Sequence, residues 1–374
     1  MGNVIYVGVD VHKDTNSVCL FDQQDGTILN ERKLDAGFPF LDKYLKKMKK
    51  DGIVKEEAEY FIGYEAGPTG FGLCRSLQKE GYDCVVMAPT TIRKASGEKV
   101  KTDRKDARLL AATLAADAYK GVYLPDDEDE ATKEFTRTRN ALQGHLKKSK
   151  QQLLGFLLRM GRPYPESGNY WTEKFWEWVK TVRFKHVKLQ RSLEIFILQV
   201  KDLQDKIDAM DNDIEEIADS ERYKEKVGKL VCFTGIETHT ALSLVCEVGD
   251  FSRFSTAEQF SSYLGLCPGQ DSSGKKVQYN AITKSGNTRL RLLLIEATKG
   301  VKRSNPYNKS KRIKARQSGQ SPLVIAYADK GTKRIKSKMT ALESRKGKNV
   351  NVSTVAGARE LSCFVWGMMT NHID

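Results

Sequence analysis

Apolar positions follow two rhythms along this chain, and the change falls near residue 130. Before it, short β-branched and aromatic runs stand between turn residues, the mark of strands. Residues 4–11 read Val-Ile-Tyr-Val-Gly-Val-Asp-Val, a buried strand that Asp10 interrupts near its end. Two further strands are predicted over 17–21 and 28–34, joined by the turn Gln24-Asp25-Gly26. A helix is predicted over 40–49, then a strand over 60–64, with Glu65 at its tip before Ala66-Gly67-Pro68. A second helix to about residue 80 and a strand over 84–87 follow. The apolar run 109–116 predicts another helix, with Asp103 and Asp106 at its entry.

Beyond residue 130 the spacing is helical. The acidic run 126–130 reads as a boundary loop, and 132–160 as a long helix with Leu142, Leu146, Leu153, Phe156 and Met160 on one face. Pro163-Tyr164-Pro165 breaks it, and 170–178 holds three of the four tryptophans. From Leu189 through Leu193, Phe196, Val200, Leu203, Ile207, Met210, Ile214 and Ile217, apolar residues step by four and three. That is a heptad seam, predicting a coiled coil that folds back on the earlier helix or pairs with another chain. Thr234-Gly235-Ile236 resembles a helix-hairpin-helix turn whose N–H groups hold phosphate, with Glu237 where a second glycine would stand. A carboxylate there would repel phosphate. Asp271-Ser272-Ser273-Gly274 reads as an exposed loop, ordinary in composition for a turn. The segment 302–348 is strongly basic, a nucleic-acid surface or a mobile stretch, and 350–370 returns to an apolar helix. The expected domains are 1–130, 131–228 and 229–374.

Charge and composition narrow the function. The 62 Lys plus Arg against 48 Asp plus Glu leave a net charge of +14, which favours a polyanionic partner. The seven cysteines form no CxxC pair and fit a reducing cytosol, and the five scattered histidines give no support to a histidine-based metal site. No signal peptide is expected, because Asp10 and Lys13 interrupt the N-terminus early, and the apolar run 361–369 is too short for a bilayer, so no membrane partner is expected.

The candidate chemistry is carboxylate chemistry. Asp103 and Asp106 share a helix face at i and i+3, inside a field of Lys101, Arg104, Lys105 and Arg108. Like charges held together need a cation between them. Taken singly, Asp10 is a strand-end cap and Glu65 a loop residue. Taken with Asp103 and Asp106, they outline a metal site facing a polyanion. The order of strands and helices resembles the ribonuclease-H-like architecture.

Three stretches extend that likeness to a family. Gly8-Val9-Asp10-Val11-His12-Lys13, Tyr64-Glu65-Ala66-Gly67-Pro68-Thr69-Gly70 and Lys101-Thr102-Asp103-Arg104-Lys105-Asp106-Ala107 resemble the acidic motifs of the DEDD transposases. These are the insertion-sequence-110 family, related to Piv-type DNA invertases. Tyr263-Leu264-Gly265-Leu266, Ser273-Gly274 and Lys284-Ser285-Gly286-Asn287-Thr288-Arg289-Leu290-Arg291 resemble its C-terminal transposase domain.

The resemblance implies an α/β RuvC-like (ribonuclease-H-like) N-terminal domain, a helical coiled-coil middle and a mainly α C-terminal transposase domain. It implies Mg²⁺ held by Asp10, Glu65, Asp103 and Asp106, and a serine nucleophile at Ser273, with Ser272 its neighbour. It implies a structured bridge RNA that guides the enzyme by pairing with target and donor double-stranded DNA. The assembly it implies is a homo-oligomer, dimers joining as a tetramer, in a bacterial or archaeal cytosol at the nucleoid. Nucleic-acid contacts are expected from Lys13, Lys101, Arg104, Lys105, Lys275, Lys276, Lys284, Arg289 and Arg291. Delegating sequence choice to base pairing fits a chain in which no DNA-reading module is evident. The competing readings are an RNA-independent site-specific invertase, a junction nuclease using water, and a non-catalytic binding protein, which four intact acids disfavour.

Overall fold

The structure, a computed structural model, describes residues 3–92, 102–166, 168–273 and 276–373, and for 272, 273, 276 and 277 the backbone alone. The chain divides into two compact units, Met1–Leu124 and Pro125–Asp374.

The first unit is a mixed α/β domain. Its strands are β1 (Val4–Val11), β2 (Thr15–Asp22), β3 (Thr27–Asp35), β4 (Glu59–Glu65) and β5 (Asp83–Met87), in the order β3-β2-β1-β4-β5. The first three pair antiparallel, as short hairpin connections allow; β4 and β5 join parallel to β1, with helices in the crossovers. Those are α1 (Phe38–Lys50) and α2 (Gly72–Lys79). Side chains alternate across a strand, so Ile5, Val7 and Val9 face one way and pack with Leu41, Leu45 and Leu77. The opposite face receives α3 (Asp103–Ala115).

What lets α3 in is the absence of side chains. Gly8 and Gly63 stand side by side on β1 and β4. A Cβ on Gly8 would lie 2.2 Å from the Ala107 carbonyl oxygen and 2.3 Å from the Ala111 nitrogen. One on Gly63 would lie 3.0–3.2 Å from Met87 and Leu114 side-chain atoms. The helix answers with Ala107 and Ala111 where it meets the sheet, both buried beside Cys19. Its backbone therefore lies directly on β1, two residues from Asp10. The Thr102 hydroxyl caps it by accepting from the Lys105 N–H, which fixes Asp103 and Asp106 in the first turn.

The second unit is helical. Its first helix, α4 (Asp127–Arg159), begins on the acidic run read above as a loop. Asp126 caps it through the Asp129 N–H, and four acids in the first turn suit the positive end of the helix dipole. After α5 (Glu173–Thr181), α6 (Val187–Asp219) returns against α4. Arg139 pairs with Asp211, and the rings of Phe156 and Phe196 lie 5.4 Å apart, so the two 33-residue helices run antiparallel within one chain. The tryptophan-rich stretch closes their far end: Tyr164, Trp171, Trp176 and Trp178 surround the buried Phe175 of α5.

The rest is a helical bundle: α7 (Lys224–Leu230), α8 (Thr238–Val248), α9 (Ala257–Tyr263), α10 (Thr288–Arg303), α11 (Lys311–Gln317), α12 (Pro322–Ser344) and α13 (Val350–Met369). The basic segment is thus folded as helix. One hairpin interrupts the bundle, β6 (Pro268–Ser273) with β7 (Lys276–Ile282). The expected loop at 271–273 is strand, because β7 pairs antiparallel with it, Asp271 opposite Gln278, Ser272 opposite Val277 and Ser273 opposite Lys276, which Ser-Ser composition alone does not reveal. Among the described residues no helix is long and apolar enough to cross a membrane.

The contact at Gly8 makes a prediction. Gly8→Ala should destabilise the protein by about 1–3 kcal/mol, because backbone rather than a flexible side chain must move. Gly144→Ala, where a Cβ meets nothing within 4 Å inside α4, should be neutral or stabilising. Urea unfolding of the two variants checks this; equal midpoints would dismiss the close approach.

Candidate metal centre

Asp10 stands at the end of β1, and Glu65 ends the neighbouring parallel β4, one residue past the Val9–Tyr64 pair. Both border an open cleft of about 1160 Å³, with His12, Lys13, Pro68 and Thr69. From the α3 face comes Asp103. One oxygen each of Asp10 and Asp103 and one ring nitrogen of His12 lie within 4.8 Å of one another, a spacing that could hold a metal ion. His12 Nε2 is 3.1 Å from Asp10 Oδ2 and 3.6 Å from Asp103 Oδ1. Lys33 reaches Asp103 from β3 at 3.4 Å.

The electrostatics identify a site that wants positive charge. Burial pushes the Asp10 carboxyl above its ordinary range, His12 opposes the shift, and Asp106 and Asp103 add to it. Asp10 therefore feels Asp106, although Asp106 lies outside the tight triad. The scatter of the five histidines along the chain hides His12, because the triad it joins forms only in space. Its signal was local: His12 follows Asp10 by two residues, where the strand ends. Asn16 also borders the cleft, fully buried, with neither amide atom hydrogen-bonded among the described residues.

The basic residues expected at nucleic acid divide. Lys13, on the cleft, and Lys105, Lys284 and Arg289 are exposed. Arg104 is exposed but engaged: its Nε donates to Glu31 Oε2 at 2.6 Å, and Arg108 Nη2 reaches the same oxygen at 2.7 Å. Arg291 is a correction. It is 7% exposed, and its guanidinium donates to the Leu264 carbonyl at 2.9 Å and the Thr288 hydroxyl at 2.9 Å. It staples the two motifs around residues 264 and 288 together, buried rather than presented to a phosphate. Lys101 and Lys275 lie outside the described residues, as do the side chains of Lys276 and Ser273. The Ser273 backbone ends β6, opposite Lys276.

The Thr234-Gly235-Ile236 turn serves packing. Gly235, at φ 91°, sits where a Cβ would lie 2.1 Å from the Ala297 carbonyl oxygen of α10. The Glu237 carboxylate is answered by Arg312 at 3.0 Å and Arg316 at 3.9 Å.

Comparison with known proteins gives the family. The DEDD IS110 transposase model matches residues 7–161, and the model for the transposase IS116/IS110/IS902 family matches residues 229–313. The transposase for insertion sequence element IS1533 of Leptospira borgpetersenii is 34% identical over 352 residues, covering 93% of this chain and 99% of that protein. The Sinorhizobium fredii protein y4qE is 32% identical, over 97% of this chain and 88% of its own. The transposase for IS1111A of Coxiella burnetii is 23% identical, over 92% of each.

Hydrogen bonds from Arg108, then Arg104, hold the Glu31 carboxyl down to about 2 from an ordinary 4.5 although burial opposes them. A depressed carboxyl contributes stability that is complete above its unfolded pKa and is lost as pH falls through the folded one. The stability gap between wild type and Glu31→Gln should therefore be full above about pH 4.5 and shrink toward pH 2. Urea unfolding across that range reads it, and a gap independent of pH would remove the ion pair from the account.

Proposed function

The chain belongs to the IS110 family of transposases, and from that membership we propose that it cuts and rejoins DNA at the cleft bordered by Asp10 and Glu65. The observation carrying the proposal is the convergence of Asp10 and Asp103, from elements distant in sequence, with donor atoms within 4.8 Å of one another. The strand order β3-β2-β1-β4-β5, with acids at the ends of β1 and β4 and on the helix that crosses them, supports a RuvC-like, ribonuclease-H-like reading.

Asp10, Glu65, Asp103 and Asp106 are the proposed metal set. Oxygen donors dominate it, which suits Mg²⁺. Bound there, Mg²⁺ would polarise a phosphodiester and neutralise charge developing on it. The chain's own residues do the rest. Asp10 and Asp103 supply fixed negative charge, while His12 and Lys33 hold the carboxylates in place. Lys13, Lys101, Lys105, Lys275, Lys276, Lys284 and Arg289, with Arg104 partly committed to Glu31, are proposed to hold phosphates.

Ser273 is the proposed nucleophile. Its Oγ bonds to the phosphorus as the bond to one sugar oxygen breaks; the serine proton departs and the released sugar oxygen takes one up. One ester replaces another, so rejoining requires no external energy source. Family membership is the support for guidance by a bridge RNA that pairs with target and donor DNA. It is equally the support for assembly of dimers into a tetramer at the nucleoid. On this reading, residues 131–228 join the catalytic domain to the serine-bearing domain.

Asp103→Asn should reduce divalent-cation-dependent strand cleavage by about 100-fold or more. Unchanged cleavage would take the acids out of the mechanism. Ser273→Ala should abolish the covalent protein–DNA adduct while keeping RNA binding; loss of the adduct in Ser272→Ala instead moves the nucleophile by one residue. RNA copurifying with the protein should be one structured species. Random host RNA would leave an RNA-independent invertase or a junction nuclease as the function.

A further inference from the structure

The basic segment of the second unit has no role in the chemistry above, and it builds a groove of its own. Arg303 closes α10, the loop 304–310 turns back, and α12 runs beneath it, leaving a cleft of about 700 Å³. Arg303, Lys333, Lys336 and Arg345 line it, and no carboxylate does. The floor is regular. Lys333, Ser337, Thr340 and Ser344 recur at steps of four, three and four, so they share one face of α12, all exposed. That face presents a cation and then three hydroxyls over about 16 Å of helix.

Two of the cations also have structural work. Arg303 donates to the Lys299 carbonyl at 3.3 Å, and Lys336 donates to the Ser304 carbonyl. Those bonds fix the rim, and the charge remains on the groove.

The feature that decides what the groove takes is Tyr307. It is 85% exposed. Pro306 precedes it, and its N–H donates to Asn305 Oδ1 at 2.9 Å, so a short Asx turn presents the ring. Lys333 lies 5.7 Å from the ring centroid and braces it from the α12 side. The large ring stands beside a row of cations and hydroxyls, with Lys333 on one side and most of its surface open to water. Nucleobases supply a planar face for the ring, and their phosphates suit the cations. A duplex offers the phosphates without the faces, because its bases are stacked on one another. An acidic peptide would satisfy the charge and leave the ring unused.

We propose that this groove is a second nucleic-acid site, separate from the acid cleft, which binds a single-stranded stretch of polynucleotide by stacking a base on Tyr307 while Lys333 and Arg345 hold its phosphates. It deepens the nucleic-acid reading above and rests on it. RNA and DNA share the chemistry, so the test carries one arm for each.

The test uses the full-length protein in EDTA, so that cleavage plays no part. It measures binding of fluorescein-labelled 20-nucleotide oligo(U), the matching oligo(dT), and a DNA duplex of the same length. Tyr307→Ala should weaken single-strand binding by about 5- to 100-fold and leave duplex binding within about twofold. Tyr307→Phe, which keeps the ring, should bind as wild type. Lys333→Gln with Arg345→Gln should lower the slope of log affinity against log salt by about two for the single strand. The side chains are exposed, so the thermal midpoint should not move. A larger loss with oligo(U) identifies an RNA strand as the occupant, and a larger loss with oligo(dT) a separated DNA strand. Equal single-strand affinity for Tyr307→Ala and wild type overturns the proposal, as does an equal fall for duplex and single strand. Asp103→Asn should bind oligo(U) normally in EDTA, so a failure of the catalytic reading and a failure of this one are read in different variants.

Discussion

A helix backbone laid directly on a strand is the contact on which the rest of the first unit depends. Carboxylates repel, and nothing in their own chemistry brings Asp10 and Asp103 together. Packing does it. Gly8 and Gly63 remove two side chains from adjacent strands, Ala107 and Ala111 remove bulk from the helix, and α3 sinks to backbone contact. With Thr102 capping the first turn, Asp103 is carried to within reach of Asp10. Any larger residue at Gly8 would lift the helix and open the cluster.

The surrounding charges hold that geometry while leaving the acids their function. Glu31, buried beneath the guanidinium groups of Arg104 and Arg108, ties α3 to β3 on the flank away from the cleft. His12 and Lys33 stand on the acids themselves. Around Asp103, Arg104 and Arg108 anchor the helix through Glu31, Lys33 pairs with Asp103, and Lys105 is exposed. Burial and the neighbouring acids push the Asp10 carboxyl upward beyond what His12 offsets, and such a cluster is one that a bound cation relieves.

Much of this was legible in the sequence. An Asp inside Val-Gly-Val-Asp-Val breaks its local pattern, while a Glu at the tip of the next parallel strand and two acids opening a helix are locally ordinary and stand out only as a set. The heptad spacing from Leu189 to Ile217 gave α6, while its partner was left open, since a seam does not say which helix fills it. Other features depend on neighbours distant in sequence. Arg291 reads as one more surface cation until Leu264 and Ser285 surround it. Asp271 to Ser273 reads as a turn until β7 pairs with it. The acids at 126–130 read as a loop although their charge favours a helix start. His12 stands apart from the other histidines along the chain and meets Asp103 only in space.

The central claim is that the helix-on-strand contact assembles a divalent-cation site from Asp10 and Asp103. Crystals of the full chain soaked in Mn²⁺, with data collected at the manganese edge, measure it directly. The expected result is an anomalous peak within coordination distance of carboxylate oxygens of both Asp10 and Asp103, lost in Asp103→Asn crystals. Manganese bound elsewhere on the protein, with no peak at this cluster, would contradict the account.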